Sequence, residues 1–186
     1  MTIAQPPSQR GPTITLVGLM GVGKTTIGRR LAKRMDRPFM DADEAVEEAA
    51  GRSVADIFAD FGEAAFRDGE RKVIARMLEE PDPIVLALGG GAFINDETRA
   101  LIKTHAISVW LKADLDVLME RVLRKPGQRP LLQVDDPRAV MKRLSEERAP
   151  IYAQADITVD SDEASHDVTA ARVYDAVQDY LTRAAE

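Results

Sequence analysis

Eight consecutive residues constrain this chain more than anything else in it. Gly18-Leu19-Met20-Gly21-Val22-Gly23-Lys24-Thr25 fits the pattern G-x-x-x-x-G-K-[ST]. Such a run has physical meaning only where a buried strand feeds a tight turn that opens a helix. The flanks supply both: Ile14-Thr15-Leu16-Val17 reads as a buried strand, and Lys24 to Met35 as a helix with Ile27 and Leu31 on one face. Glycines let the backbone wind tightly enough for successive N–H groups to face an anion, and the helix adds its positive dipole end. Lys24 can then reach the β- and γ-phosphates of a nucleotide, and the Thr25 hydroxyl can ligate Mg²⁺. A glycine-rich turn matches this pattern by chance in roughly 1% or fewer of chains of this size.

The remaining apolar runs alternate with helical patterns, which predicts a layered α/β fold around a parallel sheet. Arg37 to Met40 reads as a second strand ending at Asp41, Ile84 to Leu88 as a third, and Ile107-Val109-Leu111 as a fourth with Trp110 turned the other way. Ile157-Thr158-Val159 makes a fifth. Ser53-Val54-Ala55-Asp56 is a capping box opening a short helix through Phe61, and the next helix carries Phe66, Val73 and Met77 in one stripe. Asp114 caps a helix bearing Leu115, Leu118, Met119 and Val122; Pro137 opens another after Asp136, and Val168 to Leu181 forms the last.

At 186 residues the chain suits one domain, residues 13–186, after a Pro- and Gln-containing tail over 1–12 that is expected to be disordered. The net charge of −6 argues against a nucleic-acid partner. The absence of cysteine excludes disulfides, thiolate metal sites and thiol catalysis. No secretory signal and no apolar run of membrane-spanning length is present, so a cytoplasmic protein is expected.

Several residues past strand ends are candidates for an acceptor site. Asp41 and Asp43 follow the second strand, where α/β folds bind ligands. Asp41 can serve the Mg²⁺ shell and Asp43 a ligand hydroxyl, while the plainer alternative makes Asp43 only a helix N-cap. Arg67 and Glu70 share a helix face, so Glu70 can lock the guanidinium while its free fork grips a carboxylate; most such pairs are merely solvated. Gly89-Gly90-Gly91 leaves a buried strand where backbone must approach either a ligand or simply a turn. Arg129, between two helices, can swing over a transferred phosphate, and Arg148 is a second carboxylate ligand; each is otherwise a solvated arginine. His105 and His166 sit in surface-like contexts and read as structural or solvated.

In order, these segments resemble the shikimate kinase family over nearly the whole chain past the tail. Besides the phosphate loop they include Phe39-Met40-Asp41-Ala42-Asp43, Ile57-Phe58, Gly62-Glu63, Phe66-Arg67, Glu70, Gly89-Gly90-Gly91, Arg129-Pro130-Leu131-Leu132 and Arg148-Ala149-Pro150-Ile151-Tyr152. The resemblance implies a nucleoside-monophosphate-kinase-like α/β/α sandwich with a five-stranded parallel sheet of order 2-3-1-4-5. It implies transfer of the ATP γ-phosphate to the shikimate 3-hydroxyl with Mg²⁺, a step toward chorismate and the aromatic amino acids. It also implies a shikimate-binding segment near 42–70 and a lid near 125–136.

By position it assigns ATP contacts to Gly21, Val22, Gly23, Lys24, Thr25, Thr26, Arg124 and Arg129. Shikimate falls to Asp43, Arg67, Gly89, Gly90, Gly91 and Arg148, with Glu70 orienting Arg67. The metal falls to Thr25 and Asp41, and chemistry to Lys24, Asp43 and Arg129. The adenine-stacking arginine is Arg124 or Arg121, since Lys125-Pro126-Gly127-Gln128 is about a residue longer than the family spacing. The backbone of Asp160-Ser161-Asp162 is also placed near adenine, and a monomer is expected. Two other readings fit the phosphate loop: a gluconate-kinase-like enzyme of the same fold, and a nucleotide-binding regulatory module without turnover.

Overall fold

The computed structural model describes residues 11–124, 132, 134–161 and 164–185. Most of the expected N-terminal tail and lid, with Arg129 and Asp162, lies outside them; Pro12, at the end of that tail, accepts a hydrogen bond from Arg37 at 2.6 Å.

Five strands, β1 (Thr13–Val17), β2 (Phe39–Asp41), β3 (Val85–Ala87), β4 (Ala106–Lys112) and β5 (Ile157–Asp160), form one parallel sheet in the order β2-β3-β1-β4-β5. The expected order and fold class are both observed. Ile14 lies opposite Val85 on one side and Ile107 on the other, so β1 is the central strand. Every residue of β1 is buried, which requires cover on both faces. Helices α1 (Lys24–Met35) and α7 (His166–Ala184) pack together, as do α3 (Val54–Leu78) and α4 (Asp96–His105), and α5 (Leu115–Leu123) with α6 (Pro137–Tyr152).

Helix α1 has the bounds its sequence predicts, ending where Asp36 turns left-handed (φ 52°) and its N–H returns to Ala32 and Lys33. Asp136 caps α6 through Ala139 N–H with Pro137 at the first turn, as expected. Asp114 stands at the N-cap of α5 but its side chain makes no capping bond. Between Gly91 and Ile107, where the sequence showed no element, lie a single 3₁₀ turn (Ala92–Ile94) and α4, capped by Asn95. Helix α2 (Ala42–Ala50) corrects the plainer alternative for Asp43. Its N-cap is Asp41, whose carboxylate accepts the Asp43 N–H, which leaves the Asp43 side chain out of the cap.

Helix α3 is two helical arms joined at a kink where Gly62 leaves the helical conformation (φ 80°, ψ 172°), so the short helix expected to end at Phe61 is its first arm. The Ser53 hydroxyl caps that arm by accepting the Asp56 N–H at 3.1 Å. Phe58, before the bend, packs on Phe66, after it, with ring centroids 4.8 Å apart. The bend thus brings two arms of one segment together as a wall.

A methyl group added at Gly62 or at Gly69, which is helical, meets no atom within 4 Å, so only backbone conformation distinguishes the two sites. Gly62→Ala should lower unfolding free energy by about 1–3 kcal/mol, whereas Gly69→Ala should raise it by about 0.4–1 kcal/mol. Urea midpoints measure both, and equal shifts would show that the bend carries no strain.

Candidate active site

In a parallel sheet ligands bind beyond the carboxyl ends of the strands. The ends of β1, β2 and β3 here carry the phosphate loop, Asp41 to Asp43 and Gly89 to Gly91. These segments line two adjoining cavities of about 350 and 360 Å³ that share Met20, Thr25, Asp41, Asp43, Gly89 and Gly90. The first also holds Gly21, Gly23, Lys24, Thr26, Arg121, Arg124 and His166, and the second Phe58, Phe66, Arg67, Gly91 and Arg148. Of the expected residues, Gly21, Gly23, Lys24, Thr26 and Arg124 line only the first cavity and Arg67, Gly91 and Arg148 only the second, while Thr25, Asp41, Asp43, Gly89 and Gly90 line both and Val22 lines neither.

In the first, Gly23 is the N-cap of α1 with φ 99°, a left-handed conformation that favours glycine, and no side chain caps the first turn of the helix. The Lys24 ammonium donates to the carbonyls of Gly18 (2.8 Å) and Leu19 (3.0 Å), which holds it over the loop. The Thr25 hydroxyl donates to Asp41 Oδ2 at 2.7 Å, while Oδ1 of the same carboxylate caps α2. Two hard oxygen groups side by side at the phosphate loop suit a Mg²⁺ ion.

Both candidate adenine arginines line this cavity, but they differ. Arg121 is tied to the loop, donating to the Val22 carbonyl at 3.1 Å and to Ser161 Oγ at 3.4 Å. Arg124 is largely exposed and pairs with Glu120. Ser161 is buried and donates its hydroxyl to the Val22 carbonyl at 3.1 Å, so its side chain braces the phosphate loop.

His166 corrects its surface-like reading. As the first residue of α7 it packs over Gly23, where an added methyl would lie 3.1 Å from Nε2. Burial, with Arg121 and Arg30 nearby, holds its pKa below the usual histidine range. No local pattern marks His166, because its contact with Gly23 exists only once α7 packs on α1.

In the second cavity the glycine run lets three charged groups close in. A methyl at Gly89 would meet Asp43 Oδ1 and Glu70 Oε1, each at 2.7 Å, and one at Gly91 would lie 2.5 Å from the Arg67 guanidinium. Arg67 donates to Glu70 Oε2 at 2.7 Å and lies 3.3 Å from Glu63. The pair is far from a solvated surface pair, since Glu70 is only 2% exposed. Its second oxygen, Oε1, has no hydrogen-bonding partner among the described residues. Burial accordingly raises the Glu70 pKa, outweighing the attraction of Arg67, and nearby Asp43 adds to the rise. On Arg67 burial works against the charge, but Glu70 and Glu63 prevail and raise its pKa. Arg148 donates to the Gly90 carbonyl at 3.0 Å.

Asp43 sits where the two cavities meet. Burial first, and then Asp41, push its pKa above the ordinary carboxylate value, against the opposing pull of Lys24 and Arg67. A carboxylate in that state can orient a hydroxyl and draw on its proton.

Comparison with known proteins follows the same lines. The family model described as shikimate kinase matches residues 20–178. The curated shikimate kinase of Caulobacter vibrioides is 56% identical over 169 residues, 91% of this chain and 84% of that one. That of Paramagnetospirillum magneticum is 53% identical over 171 residues, 92% and 87% of the two chains. Among solved structures, a shikimate kinase from Acinetobacter baumannii in complex with shikimate superposes with a TM-score of 0.87 at 33% identity, covering 90% of this chain and 93% of that one. A gluconokinase from Sinorhizobium meliloti superposes at 0.58 with 18% identity, covering 92% and 97%, a likeness of fold alone.

The strain around Asp43 can be measured without any substrate. A carboxyl whose folded pKa is raised destabilises the native state once pH exceeds its ordinary value of about 4. Asp43→Asn should therefore raise the melting temperature by a few degrees at neutral pH. The gain should disappear when both proteins are melted at about pH 3. A lower melting temperature at neutral pH, or a gain indifferent to pH, contradicts a charge-burial cost at this position.

Proposed function

The chain belongs to the shikimate kinase family and phosphorylates the shikimate 3-hydroxyl with ATP, and from that premise we propose how its own residues divide the work. The observation that carries the proposal is the pair of cavities meeting at Asp43, one lined by the phosphate loop and the other by two arginines.

The polyphosphate lies along Gly21 to Thr26, met by α1 N–H groups and Lys24. Thr25 and Asp41 would hold a Mg²⁺ ion, which when bound would supply positive charge to offset that of the phosphates. Arg124 or Arg121 stacks on the base; the tie of Arg121 to Val22 and Ser161 leaves Arg124 the more mobile candidate. Arg67, held by Glu70, and Arg148, held by Gly90, take the acceptor carboxylate. That grip turns the 3-hydroxyl toward Asp43, which orients it and accepts its proton as the oxygen attacks the γ-phosphorus and the bond to ADP breaks. In-line positioning and electrostatic support account for most of the rate in such transfers. Arg129, outside the described residues, completes the charge compensation on the transferred group. The enzyme acts as a cytoplasmic monomer, and no helix of the described residues is long and apolar enough to cross a membrane.

A gluconate-kinase-like activity shares the phosphate loop, but the paired arginines of the second cavity favour a cyclic carboxylate. ADP release from Mg-ATP should be strongly stimulated by shikimate and left near baseline by gluconate and by nucleoside monophosphates. ATP binding with no stimulation by any acceptor would leave the non-catalytic module instead.

Arg67→Ala should raise KM for shikimate on the order of 10–100-fold, as loss of a charged hydrogen-bond donor does, with KM for ATP little changed. If ATP affinity collapsed with it, Arg67 would not belong to the acceptor side. Arg129→Ala should lower kcat more than it weakens shikimate binding, and an unchanged turnover number would remove it from the chemistry.

A further inference from the structure

Tyr152 is the last residue of α6, one turn after Arg148 and so on the same helical face. Only 1% of it is exposed, and its ring lies between Trp110 of β4, with centroids 6.0 Å apart, and Phe93 of the 3₁₀ turn, at 6.5 Å. A hydroxyl buried that deeply must find a partner. Its partner is the carbonyl of Gly90, the same oxygen that accepts Arg148 Nη1 at 3.0 Å. Arg148 is also the cation that most opposes the upward push of burial on the Tyr152 phenol pKa. One backbone oxygen thus ties the phenol and the guanidinium to the same point.

Arg148 lines the acceptor cavity, whereas Tyr152 lines neither of the two site cavities. Resting on the acceptor reading above, we propose that Tyr152 is a positioning residue for shikimate: by holding the Gly90 carbonyl and Arg148 in one arrangement, it aims the guanidinium at the acceptor carboxylate. Its ring is gripped by two aromatic neighbours on separate elements, so the hydroxyl keeps its place as the pocket fills. Burial raises the phenol pKa, so the group remains a donor at any pH where the enzyme works.

Tyr152→Phe keeps the ring stack and removes only the hydroxyl. Its KM for shikimate should rise on the order of tenfold, with kcat and KM for ATP unchanged to about twofold. The methyl ester of shikimate, which offers no carboxylate, should lose far less in the variant, so discrimination between acid and ester shrinks by a similar factor. Tyr152→4-aminophenylalanine retains a donor at the same point and should restore the parental KM. The last variant also decides the matter if Tyr152→Phe does not fold, because a tenfold loss there would overturn the role of the donor.

A purely structural tyrosine predicts something else. Shikimate KM would stay put, or shikimate and ATP constants would worsen together with a falling melting temperature, and either result overturns the proposal. The parental enzyme is run alongside. If it shows no shikimate-dependent turnover, the acceptor reading itself fails; if it turns over normally and the variant matches it, only the assignment of Tyr152 fails.

Discussion

Two carboxylates, Asp43 and Glu70, converge on the Cα of Gly89 in a part of the protein that water reaches poorly. Negative charge held there is costly unless compensated, and the surrounding residues answer that cost. Arg67 satisfies one oxygen of Glu70 and reaches Glu63 as well, while lying flat against Gly91 where no side chain interferes. The positive charge of Lys24 also offsets that of Asp43. The glycines are needed for more than turn geometry. Gly89 and Gly91 each omit a Cβ that would displace charged groups whose closeness sets the character of the site.

Topology makes the convergence possible. With β1 central, the loops after β1, β2 and β3 emerge side by side, so segments some seventy residues apart in sequence face one another across a few ångströms. The sheet is rigid because its central strand is covered on both faces. The functional groups ride on its edge and on the first turns of α1, α2 and the second arm of α3. Rigid support of this kind holds reacting groups in line without help from the substrate.

Much of this was legible in the residues, for identifiable reasons. The phosphate loop and α1 are local: a strand, glycines, a lysine and an amphipathic helix specify themselves within twenty-odd residues. The pairing of Arg67 with Glu70 is local too, because helical spacing enforces it, although the sequence alone could not show that Glu70 is buried. Helix α4 escaped notice because only Thr98 and Ile102 are buried in it, too few to make a stripe. The contacts of His166 and Tyr152 are illegible for a different reason. Each is a plain helix-terminal residue until α7 packs on α1, or α6 reaches the glycine run, and such contacts leave no mark on neighbouring positions. Asp43 read equally well as a cap or as a functional group until Asp41 was seen to take the capping bond.

Asp41 links the two halves of the site. One of its oxygens accepts the Thr25 hydroxyl of the phosphate loop, and the other anchors the first turn of α2, on which Asp43 stands. The phosphate loop and the first turn of α2 therefore share one carboxylate as a common anchor. Whatever factor a nucleotide contributes to acceptor affinity by firming that carboxylate, the acceptor must return as the same factor in nucleotide affinity. Any coupling carried by this one side chain has a single size, whichever of the two ligands arrives first.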